Sequence, residues 1–167
     1  MTKRVLVVDN GCFGNKSDFQ YMVVDFDEDM KTISHYSYDE GAFHSSTLAL
    51  AIEALFHRYR CDEVYMDAIG LSMCVYDSLS DELKKVVVED RITQCTINEK
   101  INRLIGDLHT HKIFIDRDSI ELYDAIKALG NEKSIYSNNV GILKLGKDLR
   151  HEDRRKLHIM LGMYIVN

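Results

Sequence analysis

The sequence has 167 residues and a formal net charge of -6 at pH 7, with 46% hydrophobic and 29% charged residues. This length predicts one domain, residues 1–167, with room for a hydrophobic core. The negative charge argues against a free-standing, high-affinity nucleic-acid binder, because such affinity comes largely from neutralising phosphates. It still allows an enzyme that contacts DNA through a local basic patch.

No segment indicates export or membrane insertion. The apolar runs, such as Val5 to Val8, are far too short to span a bilayer, and no charged-then-apolar signal opens the sequence. We therefore expect a cytoplasmic protein that does not use a membrane. The cysteines form no C-x-x-C pair and are predicted to be reduced, mostly buried thiols: Cys12, Cys61, Cys74 and Cys95.

The first third of the sequence predicts a three-strand antiparallel meander. β-branched and apolar residues predict strands over Arg4 to Asp9, Phe19 to Phe26 and Lys31 to Tyr38. The acidic turn over residues 27–30 is too short for a crossover, so neighbouring strands must run antiparallel.

A helix and a fourth strand follow. Apolar residues at helical spacing predict a helix over Ser46 to Arg60, capped by Ser45 or Ser46. The segment Glu63 to Ala68 predicts a short strand, and Asp67 lies at its end just as Asp9 ends the first strand.

The remaining elements alternate. The first of them are predicted as a helix over 71–85, a strand over 91–96, a helix over 98–109 and a strand over 112–116. The next is a helix that is capped by Asp118 and Glu121 and ends at Gly130. A hairpin over 134–145, turning at Asn138-Asn139, and a helix over 149–165 complete the sequence.

This order of elements predicts an α/β fold of the ribonuclease-H-like type. Its mixed sheet has three antiparallel strands followed by parallel strands, with helices on both faces. In that arrangement the fourth strand lies parallel beside the first, so Asp9 and Asp67 meet at one edge of the sheet, where α/β folds bind ligands.

Two neighbouring carboxylates repel unless a cation holds them. Oxygen ligands suit Mg²⁺ or Mn²⁺, and a two-metal nuclease places two such ions about 3.5–4 Å apart. The third acid is predicted to be Asp153 in the last helix, on one face with an apolar stripe. Glu152, about 100° around the helix, is a weaker candidate, and so is Asp18, which is better explained as bonding the loop backbone or starting the second strand.

A basic cluster flanks Asp153. It consists of Arg150, Arg154, Arg155 and Lys156. Alone it would be a solvated helix face, but beside a metal site it predicts contacts to DNA phosphates.

Three segments carry a resemblance to a known family. VVDNGCFGNKSDF, EVYMDAIGLSMCVYDSL and RHEDRRKLHIMLGMY resemble, in order, the three acidic motifs of the nuclease domain of large terminase subunits, the DNA-packaging motors of tailed bacteriophages with a herpesviral counterpart. The resemblance implies a metal-dependent endonuclease with Asp9, Asp67 and Asp153 as catalytic metal ligands. It would cut concatemeric double-stranded DNA with two Mg²⁺ or Mn²⁺ ions.

The resemblance also implies partners and a place of action. These are the terminase ATPase domain, the small terminase subunit and the portal, in the cytoplasm of the host cell. The family usually carries an ATPase domain before the nuclease, yet these residues contain no G-x-x-x-x-G-K-[ST] motif. We therefore expect an isolated nuclease domain or a separately encoded piece.

Two other readings stay open. A Holliday-junction resolvase has the same fold but is expected to be more basic. An actin-like nucleotide-binding protein opens on a similar loop to DNGCFGNK, but it needs a second, duplicated domain that this length does not provide.

Overall fold

The computed structural model describes residues 2–13, 16–67, 71–90, 93–129, 135–137, 143–145 and 151–166. The strands are β1 (Lys3–Phe13), β2 (Lys16–Asp27), β3 (Met30–Gly41), β4 (Glu63–Asp67), β5 (Val87–Asp90), β6 (Ile113–Ile115), β7 (Ile135–Ser137) and β8 (Leu143–Leu145). The helices are α1 (Ser45–Tyr59), α2 (Leu71–Asp77), α3 (Asp81–Lys84), α4 (Gln94–His109), α5 (Glu121–Leu129) and α6 (His151–Leu161).

Six strands form one mixed sheet in the order β5-β4-β1-β2-β3-β6. β2 is antiparallel to both β1 and β3, while β4 runs parallel to β1, β5 to β4, and β6 to β3. A short turn joins β2 to β3, and the helices α2 and α3 lie between the parallel strands β4 and β5. The predicted ribonuclease-H-like fold class is confirmed.

Strand β1 lies at the centre because both of its faces are apolar. Val5 and Val7 pack into the core on one side of the sheet, and Leu6 and Val8 pack into the core on the other. All four are at most 2% exposed. A strand buried on both faces carries an uninterrupted apolar run, which explains the sequence before Asp9.

Helices cover both faces of the sheet. One core is closed by α4, α5 and α6 through Ile101, Leu104, Leu122, Ala125, Leu157, Ile159 and Met160. The other is closed by α1, α2 and α3 through Leu48, Ala49, Ile52, Val75, Leu79 and Leu83. No described helix is long and apolar enough to cross a membrane.

The predicted helix over 71–85 and strand over 91–96 were wrong in their bounds. A new helix, α3, starts after Ser80, whose hydroxyl accepts a hydrogen bond from the N–H of Leu83 at 3.3 Å. The fifth strand comes earlier, at Val87–Asp90, because Thr93 caps α4 through a capping box with Thr96.

The predicted cap at Asp118 was also wrong. Asp116 is the capping residue: its side chain accepts from the N–H of Arg117 at 2.6 Å and opens a short 3-10 turn over Arg117–Ser119 before α5. The predicted hairpin strands are present as antiparallel β7 and β8. Its turn at residues 138–139 and the helix end at residue 130 lie outside the described residues.

Candidate metal centre

Asp9 and Asp67 lie side by side on the neighbouring strands β1 and β4, although β1 does not end at Asp9 as predicted but continues to Phe13. β1 and β4 pair in parallel up to Val8 and Met66, so the next residue of each strand is the aspartate. Both aspartates line a cavity of ≈ 20 Å³ together with Asp90 and His158. The pairing of β1 with β4 thus brings these two acids together, as the element order predicted.

The Asp9 carboxylate is held through one oxygen. Its Oδ2 accepts from Gln20 Nε2 at 2.7 Å and from Arg155 Nη2 at 2.9 Å, and lies 3.1 Å from His158 Nδ1. Burial alone would raise the pKa of Asp9, but the hydrogen bond and charge of His158 and the charge of Arg155 outweigh it and lower the pKa. Asp9 is therefore held as a carboxylate.

Gln20 fixes this arrangement from β2. Its Nε2 also donates to the backbone oxygen of Arg155 at 2.8 Å, and its Oε1 accepts from the hydroxyl of Tyr36 at 3.2 Å. Gln20 is fully buried, so both ends of its amide are paired and its orientation is determined by its partners.

Asp67 has the opposite environment. Its Oδ1 is buried and accepts no hydrogen bond within the described part of the chain. Burial raises the pKa of Asp67, the charges of Asp9 and Asp90 raise it further, and His158 opposes them. A buried, unpaired carboxylate oxygen is a costly feature of a fold unless another group binds it.

A second buried acid stands beside Asp67. Asp90 is its neighbour in the parallel pairing of β4 with β5. Lys100 from α4 is fully buried, forms an ion pair with Asp90, and donates to the backbone oxygens of Tyr164 and, at 3.4 Å, Leu161. The charge of Lys100 therefore neutralises Asp90 and joins β5 to the end of α6.

Asp18 pairs with an arginine. Its oxygens accept from Arg155 Nε at 2.8 Å and from Arg155 Nη2 at 2.6 Å, and its Oδ1 also accepts from the N–H of Gly11 at 2.7 Å. The predicted bond to the loop backbone is confirmed. Because both oxygens already face Arg155, Asp18 serves as the counter-ion of that arginine.

Arg155 requires a correction. It was predicted to contact DNA phosphates, but it is only 7% exposed and forms ion pairs with Asp9 and Asp18. Its neighbours Arg154 and Lys156 are exposed and partly exposed, respectively. Arg150 lies outside the described residues.

Asp153 is placed on another side of α6. The side chains that reach β1 and its neighbours are those of Arg155, His158 and Ile159. At 100° per residue, Asp153 lies about 160° around the axis from Arg155. Asp153 is nevertheless buried, as are Leu157 and Met160 on its own face, and its predicted place on the sheet-facing side stays a prediction.

Glu152, the weaker candidate, is exposed. It lines an open groove with Tyr36, Tyr38, Glu121 and Lys156. Among the described residues, no three side chains of His, Cys, Asp or Glu are grouped so that they could hold a metal ion by themselves. The structure thus brings together two of the three predicted acids, and the role of Asp153 as a ligand stays a prediction.

Sequence reasoning missed three residues of this site: His158, Asp90 and Lys100. His158 follows Arg155 by three positions, so it shares the helix face that contacts Asp9. Asp90 ends a strand, like Asp67, which is the signal that would have found it. Lys100 carries no comparable signal, because a lysine in a helix is usually exposed.

Solved structures of terminase nucleases share this fold. The large terminase nuclease of thermophilic phage G20c with bound cobalt has a TM-score of 0.67 at 14% identity, and the match covers 98% of this chain and 82% of that one. The nuclease domain of the bacteriophage SPP1 large terminase with bound Mn has a TM-score of 0.60 at 11% identity, with 96% and 84% covered.

A longer protein shows the same likeness. The bacteriophage HK97 large terminase has a TM-score of 0.62 at 11% identity, and the match covers 98% of this chain but 40% of that one. No family model matches the sequence, and no curated protein matches it either. The resemblance to terminase nucleases is thus confirmed at the level of the fold.

Proposed function

We propose that the chain is a metal-dependent DNA endonuclease of a viral DNA-packaging terminase. It would cut concatemeric double-stranded DNA by hydrolysing phosphodiester bonds with divalent ions, predicted to be two Mg²⁺ or Mn²⁺. One observation carries the proposal: Asp9 and Asp67 lie side by side on β1 and β4, and the buried Oδ1 of Asp67 has no hydrogen-bond donor among the described residues. The neighbours solved with cobalt and Mn support metal dependence.

The residues present fit a divalent cation. Mg²⁺ is commonly bound by one or two carboxylates and completes its shell with water and substrate phosphate, so Asp9 and Asp67 supply enough protein ligands. When bound, the ion would stabilise charge on the scissile phosphate and make a water molecule more acidic. The three groups on Asp9 Oδ2 fix the orientation of that carboxylate.

The DNA contacts are proposed on α6. Arg154 and Lys156 remain accessible beside the site, and their charges suit the phosphate backbone. By the same resemblance, the partners would be a terminase ATPase domain, a small terminase subunit and a portal, met in the host cytoplasm.

A cleavage assay tests the proposal. Supercoiled plasmid, linear duplex and a four-way junction are incubated with the protein and Mn²⁺ or Mg²⁺, beside Asp9→Asn, Asp67→Asn and, as a matched control, Asp25→Asn, whose carboxylate pairs with Arg4 away from the site. We expect duplex cleavage that falls by at least about 100-fold in the two site variants and is unchanged in the control.

Three results would contradict the proposal. The parent protein could leave duplex DNA intact with both ions, or the site variants could cut as well as the parent. Cutting of the junction in preference to duplex would indicate the resolvase instead.

A further inference from the structure

One arginine spans the space between two carboxylates of this site. Arg155 Nη2 lies 2.9 Å from Asp9 Oδ2 and 2.6 Å from Asp18 Oδ1, so a single atom bridges the acids of β1 and β2. The Nε of Arg155 binds the other oxygen of Asp18 at 2.8 Å. A bridging position between two carboxylates is also one that a divalent cation would take.

The backbone beside this pair leaves room for it. A Cβ atom on Gly11 would lie 2.2 Å from Asp18 Oδ1, 2.8 Å from Arg155 Nη2 and 2.9 Å from Arg155 Cζ. These distances are shorter than any normal van der Waals contact. A side chain at position 11 would therefore displace the guanidinium of Arg155, and the sequence has glycine there.

The guanidinium cannot withdraw by losing its proton. Arginine stays charged in proteins, and moving Arg155 away would leave Asp18 buried without its main partner. Breaking a buried ion pair in this way is strongly destabilising. Arg155 is thus a permanent cation of the site.

The other side of Asp9 is different. There the Oδ1 of Asp67 has no donor among the described residues, and the adjoining cavity of ≈ 20 Å³ has room for about one water-sized atom. Three acids, Asp9, Asp67 and Asp90, line this cavity, and the buried Lys100 pairs with Asp90. The Asp67 side of Asp9 therefore suits a cation.

We propose that Arg155 occupies the Asp18 side of Asp9 as a fixed cation, so that the protein without DNA binds one divalent ion, on the Asp67 side. This inference rests on the proposed function. The second of the two predicted ions then binds only together with DNA. The DNA phosphate supplies oxygen ligands in place of the Asp18 carboxylate, which Arg155 occupies. Arg155 acts through Asp9 and is a positioning residue.

Mn²⁺ binding without DNA tests the inference. Calorimetry gives the number of ions bound, and the electron paramagnetic resonance spectrum shows the dipolar broadening of two Mn²⁺ ions at close range. We expect one ion and no broadening for the parent protein. We expect two ions and a broadened spectrum for Arg155→Met, because Asp9 and Asp18 are then free to hold a second ion.

Matched variants separate charge from ligands. Arg155→Met combined with Asp18→Asn returns the count to one, because the second carboxylate is gone. Arg155→Lys keeps the count at one, since the cation is kept. Arg117→Met removes an exposed arginine elsewhere and leaves the parent behaviour unchanged.

The outcomes distinguish the two proposals. Two ions on the parent protein overturn the inference even if no variant folds, and so does a folded Arg155→Met that still binds one ion. If the parent binds one ion that Asp67→Asn abolishes, the metal centre stands whatever Arg155 does. A parent that binds no ion and cuts no DNA overturns the metal centre and the inference together.

Discussion

The two acids of the candidate site are of the same type and lie on adjacent parallel strands, yet their surroundings are opposite. Asp9 is bound through Oδ2 by Gln20, Arg155 and His158. Asp67 keeps a buried oxygen with no donor among the described residues. The pKa of Asp9 is lowered and that of Asp67 is raised. Hydrogen bonds and ion pairs thus fix the carboxylate of Asp9 in the folded protein, whereas Asp67 has an oxygen that a ligand could bind.

The largest effect is expected from removing the charge of Asp9. Asp9→Asn leaves Arg155 and His158 facing a neutral amide in a buried site, so the free energy of unfolding should fall by about 3 kcal/mol. Urea denaturation followed by circular dichroism measures it, with EDTA present so that no metal contributes.

The control for this change is Asp25→Asn. The Asp25 carboxylate also binds an arginine, Arg4, but that arginine side chain is 43% exposed. The Arg4–Asp25 pair is partly exposed, so its loss should cost less than that of the buried pair, about 1 kcal/mol. Equal losses in Asp9→Asn and Asp25→Asn would contradict the view that Asp9 is the structural acid of the site.

A smaller effect is expected from adding one methyl group beside the arginine. Gly11→Ala places a Cβ against the Asp18–Arg155 pair, and overpacking of this kind lowers the free energy of unfolding by about 1–3 kcal/mol. The matched change is Gly106→Ala in α4, where no atom lies within 4 Å of the added Cβ.

Gly106→Ala should raise the free energy of unfolding by about 0.5–1 kcal/mol, because alanine restricts the unfolded chain and favours a helix. Thermal melts of the two variants give the comparison. Gly11→Ala melting at or above the parent temperature would show that the pair does not require the space.

A small effect of opposite sign to that of Asp9→Asn is expected at Asp67. Asp67→Asn removes a half-buried charge whose pKa is raised by burial, so in EDTA the free energy of unfolding should rise by at most about 1 kcal/mol, since solvent screens part of that charge. Mn²⁺ at about 100 times its dissociation constant should stabilise the parent by about 2.7 kcal/mol and leave Asp67→Asn unchanged. A destabilised Asp67→Asn in EDTA would place Asp67 with the structural acids.

The sequence predicted the sheet and the position of the last helix well, but not the burial of Arg155 on that helix. Strands β1 to β4 follow from apolar runs and short turns, and their order alone places Asp9 beside Asp67. These are local signals joined by one topological rule, so they need no knowledge of packing.

The prediction for the charged side of helix α6 is wrong for a physical reason. The helix is buried on two sides: Leu157 and Met160 lie on one, while Arg155 and Ile159 lie on the other. The apolar stripe identified the first side. Because Arg155 is charged, the sequence predicted that the second side is exposed to solvent. Periodicity reports which side is apolar; it does not report that a buried ion pair occupies the other.

The missing side chain at Gly11 links two distant positions of the sequence. As long as residue 155 is an arginine that reaches Asp18, residue 11 has no room to vary. Among relatives of this chain, those with a small or uncharged residue at position 155 are therefore the ones in which position 11 can carry a side chain. Positions 11 and 155 should therefore covary among relatives.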